Sequence, residues 1–347
     1  MGQKKGVWRI LDDRELKQTI HLVCSDDLDL TKSIVDSICD LVKTETYQFG
    51  VRFNQAKDII NCLNGELHYV NDAWSLMPHN RESFCTTQIP VAYDPSAIAP
   101  KFMKFLHEIF FGDDDAEQKA ILICELIGYT LLPTCRYEKF ALLIGNGANG
   151  KSVLLSLVGA IVGRENVCAV QPSQFENRFQ RANLHGKLVN LITEIAEGAE
   201  IADAQLKAIV SGELTTAEHK HKSPFDFEPF CTCWFGTNHL PHTRDFSDAL
   251  FRRAIPIRFN RKFEGANCNP CQKEELLTEL SGIMNLALEA IAGVFQRGTF
   301  TVPKSSEFEK RQWRNEADQA SQLLEEACEL GPGKKELSSH VWQKYQQ

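Results

Sequence analysis

Hydrophobic and polar positions change their spacing along the chain, and the middle section is the most regular part. Three short runs in that section are almost entirely apolar, which is typical of buried strands: residues 140–144, 188–192 and 231–235. The first run is followed by an apolar stretch, residues 153–158, that indicates the start of a helix. Because strands that alternate with helices usually form a mainly parallel sheet, the sequence predicts an α/β core over residues 134–264.

The first third of the chain has mostly helical spacing. Residues 31–42, for example, repeat apolar side chains every three or four positions. An extended, proline-punctuated linker at residues 89–100 interrupts this pattern, and Pro133 ends it. The expected elements are a mostly helical segment, a small hairpin and two further helices, at residues 1–62, 67–76, 101–111 and 116–131. Together they form a predicted N-terminal domain, residues 1–133.

The last section, residues 265–347, is predicted to be helical. One long helix is expected over residues 272–295 and another over residues 305–330. Residues 338–347 carry a helix start signal but no stop signal. We therefore expect the chain to be cut within, or just before, a further small domain of winged-helix type.

Composition and charge restrict the class of protein. The content of 43% hydrophobic and 24% charged residues is ordinary for a soluble globular protein. No apolar run approaches the ~18 residues that a membrane span needs, and the first residues lack the apolar segment of a signal peptide. We therefore expect a cytoplasmic protein without a membrane partner. The net charge of −8 argues against a uniformly basic surface that coats DNA, but it leaves room for a channel lined locally by basic loops.

The twelve cysteines are scattered along the chain, and many of them stand in apolar runs. Without an export signal, this pattern favours buried thiols in a reducing compartment over disulfides. Cys268 and Cys271 form a C-x-x-C pair, but no second pair stands at ligand spacing, so a zinc site is disfavoured. Cys231 and Cys233 are expected to pack inward from a strand.

The most specific motif is the glycine-rich segment at residues 145–152, which matches G-x-x-x-x-G-K-[ST], the phosphate-binding loop of nucleotide hydrolases. It lies between a predicted strand and a predicted helix, as the motif requires. Glycines let the backbone approach a phosphate closely, and the N–H groups of a helix N-terminus face the anion. The residues expected to bind ATP are Gly145, Asn146, Gly147, Ala148, Asn149, Gly150, Lys151, Ser152 and Val153.

Four residues have separate expected roles in hydrolysis. Lys151 is expected to reach the β- and γ-phosphates, and the Ser152 hydroxyl to hold Mg²⁺. Glu194 follows the second apolar run, where a carboxylate can hold Mg²⁺ and polarise the attacking water. Asn238 follows the third run and is expected to contact the γ-phosphate or the water. The alternatives are a strand-end glutamate facing solvent and an asparagine in an ordinary turn.

Paired arginines, Arg252 and Arg253, precede a further apolar segment. One of them could act as an arginine finger on the γ-phosphate of a neighbouring subunit. They could equally form a solvated edge, and the sequence spacing supports these two interpretations equally.

Taken together, these segments resemble the superfamily 3 helicases. The resemblance is closer to the helicase portion of phage- and plasmid-type primase–helicases, which are related to the poxvirus primase–helicase NTPase. It extends over residues 63–263 and rests on an ordered series of segments: LNGELHYV, IPVAYDPSA, LIGNGANGKSV, LHGKLVNLITEI, LKAIVSGELTTAEHKHKSPFDFEP and FGTNHLP…FRRAIPIRF.

The resemblance implies an AAA+-like P-loop NTPase core in a ring, expected to be a hexamer, that translocates on single-stranded DNA and unwinds forked DNA in replication. The host would be a bacterial cell or a phage-infected host. The N-terminal domain would serve oligomerisation, and a primase or polymerase would act in cis or in trans. In such families a loop of the core carries basic residues into the channel, and here that loop matches His219, Lys220, His221 and Lys222.

One position departs from the family pattern. In many relatives, two adjacent acidic residues follow the strand that corresponds to residues 188–192 here. Thr193 stands at the first of these two positions. A threonine hydroxyl can hold Mg²⁺ through water, so hydrolysis is expected to survive. Two other functions stay open: a non-translocating ATPase switch that loads or remodels a nucleoprotein partner, and a nucleotide-binding assembly module with little turnover.

Overall fold

The computed structural model describes residues 6–26, 28–243, 245, 247–265, 269–317, 331 and 333–345. Two helices come first, α1 (Asp13–Cys24) and α2 (Lys32–Glu45), as the helical spacing predicts. The Asp12 carboxylate and the Thr31 hydroxyl cap them by accepting hydrogen bonds from the first turn of each helix. A small cluster holds the pair together: Ile20, Val35 and Cys39.

A three-stranded antiparallel sheet follows, where the sequence predicts only a hairpin. Its strands, in spatial order, are β1 (Ile59–Cys62), β2 (Gly65–Val70) and β3 (Ala73–Met77). The β2–β3 hairpin is confirmed, but the prediction of helix is wrong at β1. A run of four residues is too short to show a period, and β1 is a strand because it pairs with β2 across the turn at Leu63 and Asn64.

The next two helices lie within two residues of their predicted bounds. They are α3 (Pro100–Ile109) and α4 (Ala116–Thr130). Pro100 stands in the first turn of α3, where its missing N–H removes no helical hydrogen bond. Most of α4 is buried, which explains why its sequence is mainly apolar after Lys119.

The centre of the molecule is a five-stranded parallel sheet, so the predicted α/β fold with N-terminal and C-terminal helices is confirmed. The spatial order is β10-β4-β9-β6-β5. The three apolar runs of the sequence form the three inner strands. The strands are β4 (Phe140–Ile144), β5 (Val167–Cys168), β6 (Val189–Ile192), β9 (Thr232–Thr237) and β10 (Ala254–Arg258).

Alternate side chains of the inner strands enter the apolar layers on the two faces of the sheet. In β4, Ala141 and Leu143 join one layer, whereas Phe140, Leu142 and Ile144 join the other. Between the strands lie α5 (Lys151–Val162), α6 (Arg178–Arg181), α7 (Asp203–Val210), α8 (Asp248–Phe251), and a separate hairpin of β7 (Thr215–Ala217) and β8 (Phe225–Phe227).

The C-terminal section contains α9 (Gln272–Leu277), α10 (Leu280–Arg297), α11 (Lys304–Ala317) and α12 (Ser338–Tyr345). The prediction of one helix over residues 272–295 is wrong, because this part of the chain forms two helices, α9 and α10, with a break between them. There the Glu279 carboxylate accepts hydrogen bonds from the backbone N–H groups of Lys101 and Phe102, at 3.1 and 3.0 Å. The predicted helix over residues 305–330 is confirmed as far as Ala317, and its remainder lies outside the described residues.

Helix α11 covers the edge strand β10, which would otherwise expose unpaired backbone groups. Arg258 at the end of β10 pairs with Glu309 of α11. Trp313 is buried in the core, and its indole N–H donates to the Pro241 carbonyl at 2.8 Å. This contact joins α11 to the segment that follows Asn238.

The described cysteines are free thiols, and most of them are buried. Burial raises the pKa of Cys62 to about 12, so its thiol stays protonated at neutral pH. Cys231 and Cys233 are buried, as predicted, whereas Cys268 lies outside the described residues.

Within the described ranges, no cluster of three or more His, Cys, Asp or Glu side chains could hold a metal, and no helix has both the length and the apolarity to cross a bilayer.

Candidate functional site

The parallel sheet brings together segments that are far apart in the chain. Strands β4, β9 and β6 are neighbours in that order, and their carboxyl ends therefore share one edge of the sheet. Residues 145–152 follow β4, Glu194 lies two residues after β6, and Asn238 comes directly after β9. The crevice beyond the carboxyl ends of the strands is where open α/β sheets bind their ligands.

Two glycines of the loop have no room for a side chain. A Cβ atom at Gly145 would stand 2.7 Å from the Phe259 carbonyl oxygen, so the backbone of the chain after β10 packs directly on the loop. Gly150 has a φ of +89°, and its Cβ would stand 2.7 Å from a methyl group of Ile109 in α3. The motif glycines therefore serve both the turn and the packing of α3 against the loop.

The Lys151 side chain is folded into the loop. Its ammonium donates to the Gly145 carbonyl and, at 3.1 Å, to the Asn149 side-chain oxygen. Burial lowers the pKa of Lys151, and the charge of Glu194 partly offsets this effect. The Asn149 side-chain N–H₂ is buried and has no hydrogen-bond partner. The loop thus holds a buried cation and an unpaired donor, which are the groups that an anion needs.

The other loop residues differ in exposure. Ser152 is exposed in the first turn of α5, where helix N–H groups point outward. Gly145, Asn149 and Lys151 are buried, Gly150 and Val153 are half-buried, and Asn146, Gly147 and Ala148 are exposed.

The predicted acid and amide lie in direct contact. The Asn238 side-chain N–H₂ donates to one Glu194 carboxylate oxygen at 3.0 Å, and the Gln171 side chain donates to the Glu194 backbone carbonyl at 3.2 Å. Glu194 is exposed and Asn238 is half-buried. The carboxylate is therefore oriented by the neighbouring strand end while it stays open to solvent.

The chemistry of Ser152 and Glu194 fits Mg²⁺. A hydroxyl and a carboxylate oxygen are hard ligands, and both are exposed at the carboxyl edge of the sheet. Mg²⁺ in nucleotide sites usually takes only one or two protein oxygens beside phosphates and water, so a larger carboxylate cluster is not required. Thr193, also exposed, precedes Glu194.

The two arginines lie at the opposite edge of the sheet. The Arg253 carbonyl accepts from the N–H of Phe140, the first residue of β4. The five residues of β4 span about 16 Å, so the arginines start about that far from the loop of their own chain. The structure thus separates them from the site at which Lys151, Glu194 and Asn238 are found.

The arginines also differ from each other. Arg253 is buried and donates to Ser211 Oγ at 2.8 and 3.0 Å and to the Ala249 carbonyl at 2.7 Å, and it pairs with Glu138 at 2.7 Å. The Arg252 side chain is 63% exposed and lies 3.7 Å from Glu138. Only Arg252 of this pair is exposed enough to reach a partner.

The four predicted DNA-binding residues lie at the tip of the β7–β8 hairpin. Lys220, His221 and Lys222 are exposed. The Lys222 N–H donates to the His219 carbonyl at 2.9 Å and closes the turn. His219 is exposed as well, and its ring stacks on that of Phe225 with the ring centroids 5.1 Å apart.

Sequence reasoning missed a short basic and aromatic segment beside this hairpin. Arg178 in α6 forms an ion pair with Glu218 at 3.0 Å, and its guanidinium lies 5.3 Å from the exposed Phe179 ring. The Arg181 guanidinium donates to the Thr216 carbonyl. The four residues of α6 have no period to detect, so only the fold brings them to the hairpin.

Comparison with known proteins gives two family matches. Residues 14–111 match the family described as D5 N terminal like, and residues 143–253 match a family of unknown function, DUF5906. The second match begins just before the phosphate loop and ends at Arg253. Each match covers less than half of the chain.

A relative and a solved structure are also similar. A protein of Acanthamoeba polyphaga mimivirus, named as a candidate helicase, is 29% identical over an alignment of 146 residues, and the match covers 39% of this chain and 15% of that protein. The chain thus matches only a small part of that relative's length. The C-terminal region of NrS-1, in its A form apo structure, has a TM-score of 0.55 at 15% identity, over 85% of this chain and 69% of that chain. The fold is therefore shared with that region.

Proposed function

We propose that this chain is the ATPase motor of a replicative DNA helicase of the superfamily 3 type, with an AAA+-like core. One observation carries the proposal: the phosphate-loop motif, the Glu194 carboxylate and the Asn238 amide all follow carboxyl ends of adjacent parallel strands. The similarity to a mimivirus protein named as a candidate helicase also supports the proposal. So does the match to the D5 N terminal like family.

In this proposal the triphosphate of ATP lies on residues 145–152, at the N-terminus of α5. The Lys151 ammonium exchanges its bond to the Gly145 carbonyl for oxygens of the β- and γ-phosphates, and the unpaired Asn149 amide gains an acceptor. Ser152 and Glu194 would hold Mg²⁺, with Thr193 contributing through water. When bound, Mg²⁺ neutralises charge on the phosphates.

Glu194 orients the water that attacks the γ-phosphate. The hydrogen bond from Asn238 orients the carboxylate, and we expect the Asn238 amide also to contact the γ-phosphate. Cleavage of the phosphate then changes the contacts of Asn238. The Pro241 carbonyl, three residues on, is bonded to Trp313 of α11, so this segment can transmit the change.

The position of the arginines supports a shared site between subunits. Neither arginine is near the loop of its own chain, and Arg252 is exposed at the far edge of the sheet. We propose a head-to-tail ring in which that edge of one subunit faces the loop of the next, with Arg252 as the arginine finger and Arg253 as a structural residue beside it. We propose a hexamer, with residues 1–133 as its collar, residues 134–264 as its motor and residues 265–347 as a C-terminal helical segment.

Single-stranded and forked DNA are the proposed substrates. Lys220 and Lys222 at the hairpin tip can neutralise DNA phosphates inside the ring, although the whole chain is acidic. His221 lies between them in the chain, and the His219 ring stacks on Phe225 of β8. A primase or polymerase, in cis or in trans, would supply the primed strand.

The deciding experiment measures ATP hydrolysis and fork unwinding, each with and without single-stranded DNA, together with the mass of the assembly. We expect DNA-stimulated hydrolysis, unwinding and a ring-sized mass. DNA-stimulated hydrolysis without unwinding would favour the non-translocating switch. A strict monomer that is indifferent to DNA would contradict both functions.

A further inference from the structure

Three aromatic side chains from distant parts of the N-terminal section meet at the surface of the molecule. They are Trp8, Phe53 and Phe84, and their ring centroids lie between 5.6 and 6.2 Å apart. Trp8 is 39% exposed and Phe53 is 46% exposed, although tryptophan and phenylalanine are usually well buried. None of the roles proposed above uses this cluster, which we call the aromatic triad.

Backbone hydrogen bonds hold the aromatic triad in place. The Trp8 N–H donates to the Cys85 carbonyl at 2.8 Å, and the Trp8 indole N–H donates to the Arg81 carbonyl at 2.8 Å. The Asn54 N–H donates to the Phe84 carbonyl at 3.1 Å. Because these contacts already order the rings, a ligand that stacks on them loses little affinity to ordering the protein.

The backbone at Phe84 is in the left-handed region, with φ +46° and ψ +38°. This conformation is unfavourable for a bulky residue, and glycine would adopt it with less strain. Asn54 stabilises the turn, since its side-chain oxygen accepts from the Thr86 N–H at 2.8 Å and its amide donates to Thr86 Oγ1 at 2.6 Å. The contact of the ring with Trp8 and Phe53, rather than the turn itself, therefore accounts for a phenylalanine at this position.

Arginines accompany the rings of the aromatic triad. Each ring has an exposed arginine within three positions in the chain: Arg9 for Trp8, Arg52 for Phe53 and Arg81 for Phe84. Arg9 pairs with Glu15 at 3.0 Å and Arg81 pairs with Glu82 at 3.6 Å. Ion pairs between exposed side chains contribute little free energy, so these guanidinium groups can exchange their carboxylates for phosphates. The net charge of the chain is −8, so the three arginines form a local feature of an acidic protein.

We infer that the aromatic triad and its three arginines bind single-stranded DNA, at a site separate from the hairpin tip of residues 219–222. Aromatic rings stack on bases of any sequence, and guanidinium groups pair with phosphates. A single strand alternates bases with phosphates, as this surface alternates rings with cations. That charge complementarity favours a DNA strand over a second copy of the chain. The identity of the strand rests on the proposed function, but the site lies outside the motor, residues 134–264.

The test measures how tightly the full chain binds a labelled oligothymidylate, by fluorescence anisotropy in the absence of nucleotide. Phe53→Ala should weaken binding about tenfold, the effect of losing one stacked base. Trp8→Phe keeps a ring and should retain most of the affinity, whereas Trp8→Ala should not. Phe308→Ala is the matched control, since Phe308 is 53% exposed on α11 and should leave the affinity unchanged.

A charge variant and a double variant separate this site from the hairpin tip. Arg52→Ala should make the dependence of affinity on salt less steep by roughly 0.7, the effect of one lost phosphate contact on a single strand. The variant with Lys220→Ala and Lys222→Ala should keep residual binding of oligothymidylate, and adding Phe53→Ala should remove it. Loss of all binding in the hairpin variant would overturn the inference.

Ultraviolet cross-linking gives a readout on the wild-type chain, which does not depend on the folding of a variant. Oligothymidylate should become attached to peptides that contain Trp8, Phe53 or Phe84. Attachment only at the hairpin, with wild-type affinity in Phe53→Ala, would overturn the inference and leave the proposed function intact. So would a change in the mass of the assembly in Phe53→Ala without a change in DNA affinity, because the rings would then pack on a second copy. If the wild-type chain binds no single-stranded DNA, the proposed function and this inference both fail.

Discussion

The side-chain amide of Asn238 donates a hydrogen bond to the carboxylate of Glu194 at 3.0 Å, although 43 residues separate them in the chain. They meet because β6 and β9 are parallel neighbours and both residues follow the carboxyl ends of these strands. The contact leaves Glu194 exposed at the edge of the sheet where the phosphate loop begins. This arrangement makes the roles of the two residues separable by experiment.

Glu194→Gln should stop turnover while nucleotide binding persists. The amide keeps the size of the side chain but cannot accept a proton from water, so the expected loss in kcat is about 10²-fold or more. Single-turnover phosphate release and ATP binding should be measured together. Glu197→Gln, an equivalent change at a nearby exposed glutamate, is the control. Turnover at the wild-type rate in Glu194→Gln would remove this residue from the mechanism.

Lys151→Ala should abolish nucleotide binding and turnover. The buried ammonium is the cation within the loop, and its loss also leaves the Gly145 carbonyl without that donor. Calorimetric titration with ATP and a steady-state hydrolysis assay check the result, with the exposed Lys273→Ala as the control. Ordinary hydrolysis by Lys151→Ala would contradict the assignment of the phosphate loop.

Arg252→Ala and Arg253→Ala should fail in different ways. Arg253 is buried and makes hydrogen bonds to Ser211, Ala249 and Glu138, so its loss should lower the free energy of unfolding by roughly 1.5–3 kcal/mol. The exposed Arg252 should contribute little to stability, because its pairing with Glu138 is long and solvated. Denaturant titration of both variants tests this contrast.

The Arg252→Ala variant also tests the shared site. It should fold normally and lose turnover, yet regain part of it when mixed with Lys151→Ala subunits, since a mixed ring can pair an intact loop with an intact arginine. Hydrolysis should be followed across mixing ratios. An absence of recovery at every ratio would count against an arginine that acts between subunits.

Lys220→Ala combined with Lys222→Ala should reduce the stimulation of hydrolysis by single-stranded DNA while basal hydrolysis persists. The two exposed ammonium groups are the proposed phosphate contacts, so the dependence of DNA affinity on salt should also become less steep, by roughly 0.7 per lost contact. Lys334→Ala with Lys335→Ala removes the same charge elsewhere and serves as the control. Unchanged stimulation in the hairpin variant would disprove its contact with DNA.

Much of the architecture follows from local patterns. The three apolar runs became β4, β6 and β9, and the glycine-rich motif lies between β4 and α5 as its flanks indicate. A long apolar pattern shows which face of an element will be buried, so the element that it predicts is present in the folded chain. Short elements are less visible: β1 is only four residues long and lies in a section whose pattern predicts mostly helix.

Other features were decided by partners far away in the chain. The long helix expected at residues 272–295 is interrupted at residues 278 and 279, where the Glu279 carboxylate bonds to the first turn of α3, a contact that no local period can reveal. The aromatic triad brings together three rings that lie far apart in the chain. The difference between Arg252 and Arg253 is invisible in a sequence that shows only two adjacent arginines.

The α/β class, the inner strands and the position of the phosphate loop follow from the amino-acid sequence, because they depend on side-chain periodicity and on backbone freedom within a few residues. The folded chain alone shows which arginine is buried, which amide meets Glu194, and what surrounds the loop. Burial and hydrogen bonding at those positions depend on strand order and helix packing, which bring together residues more than forty positions apart.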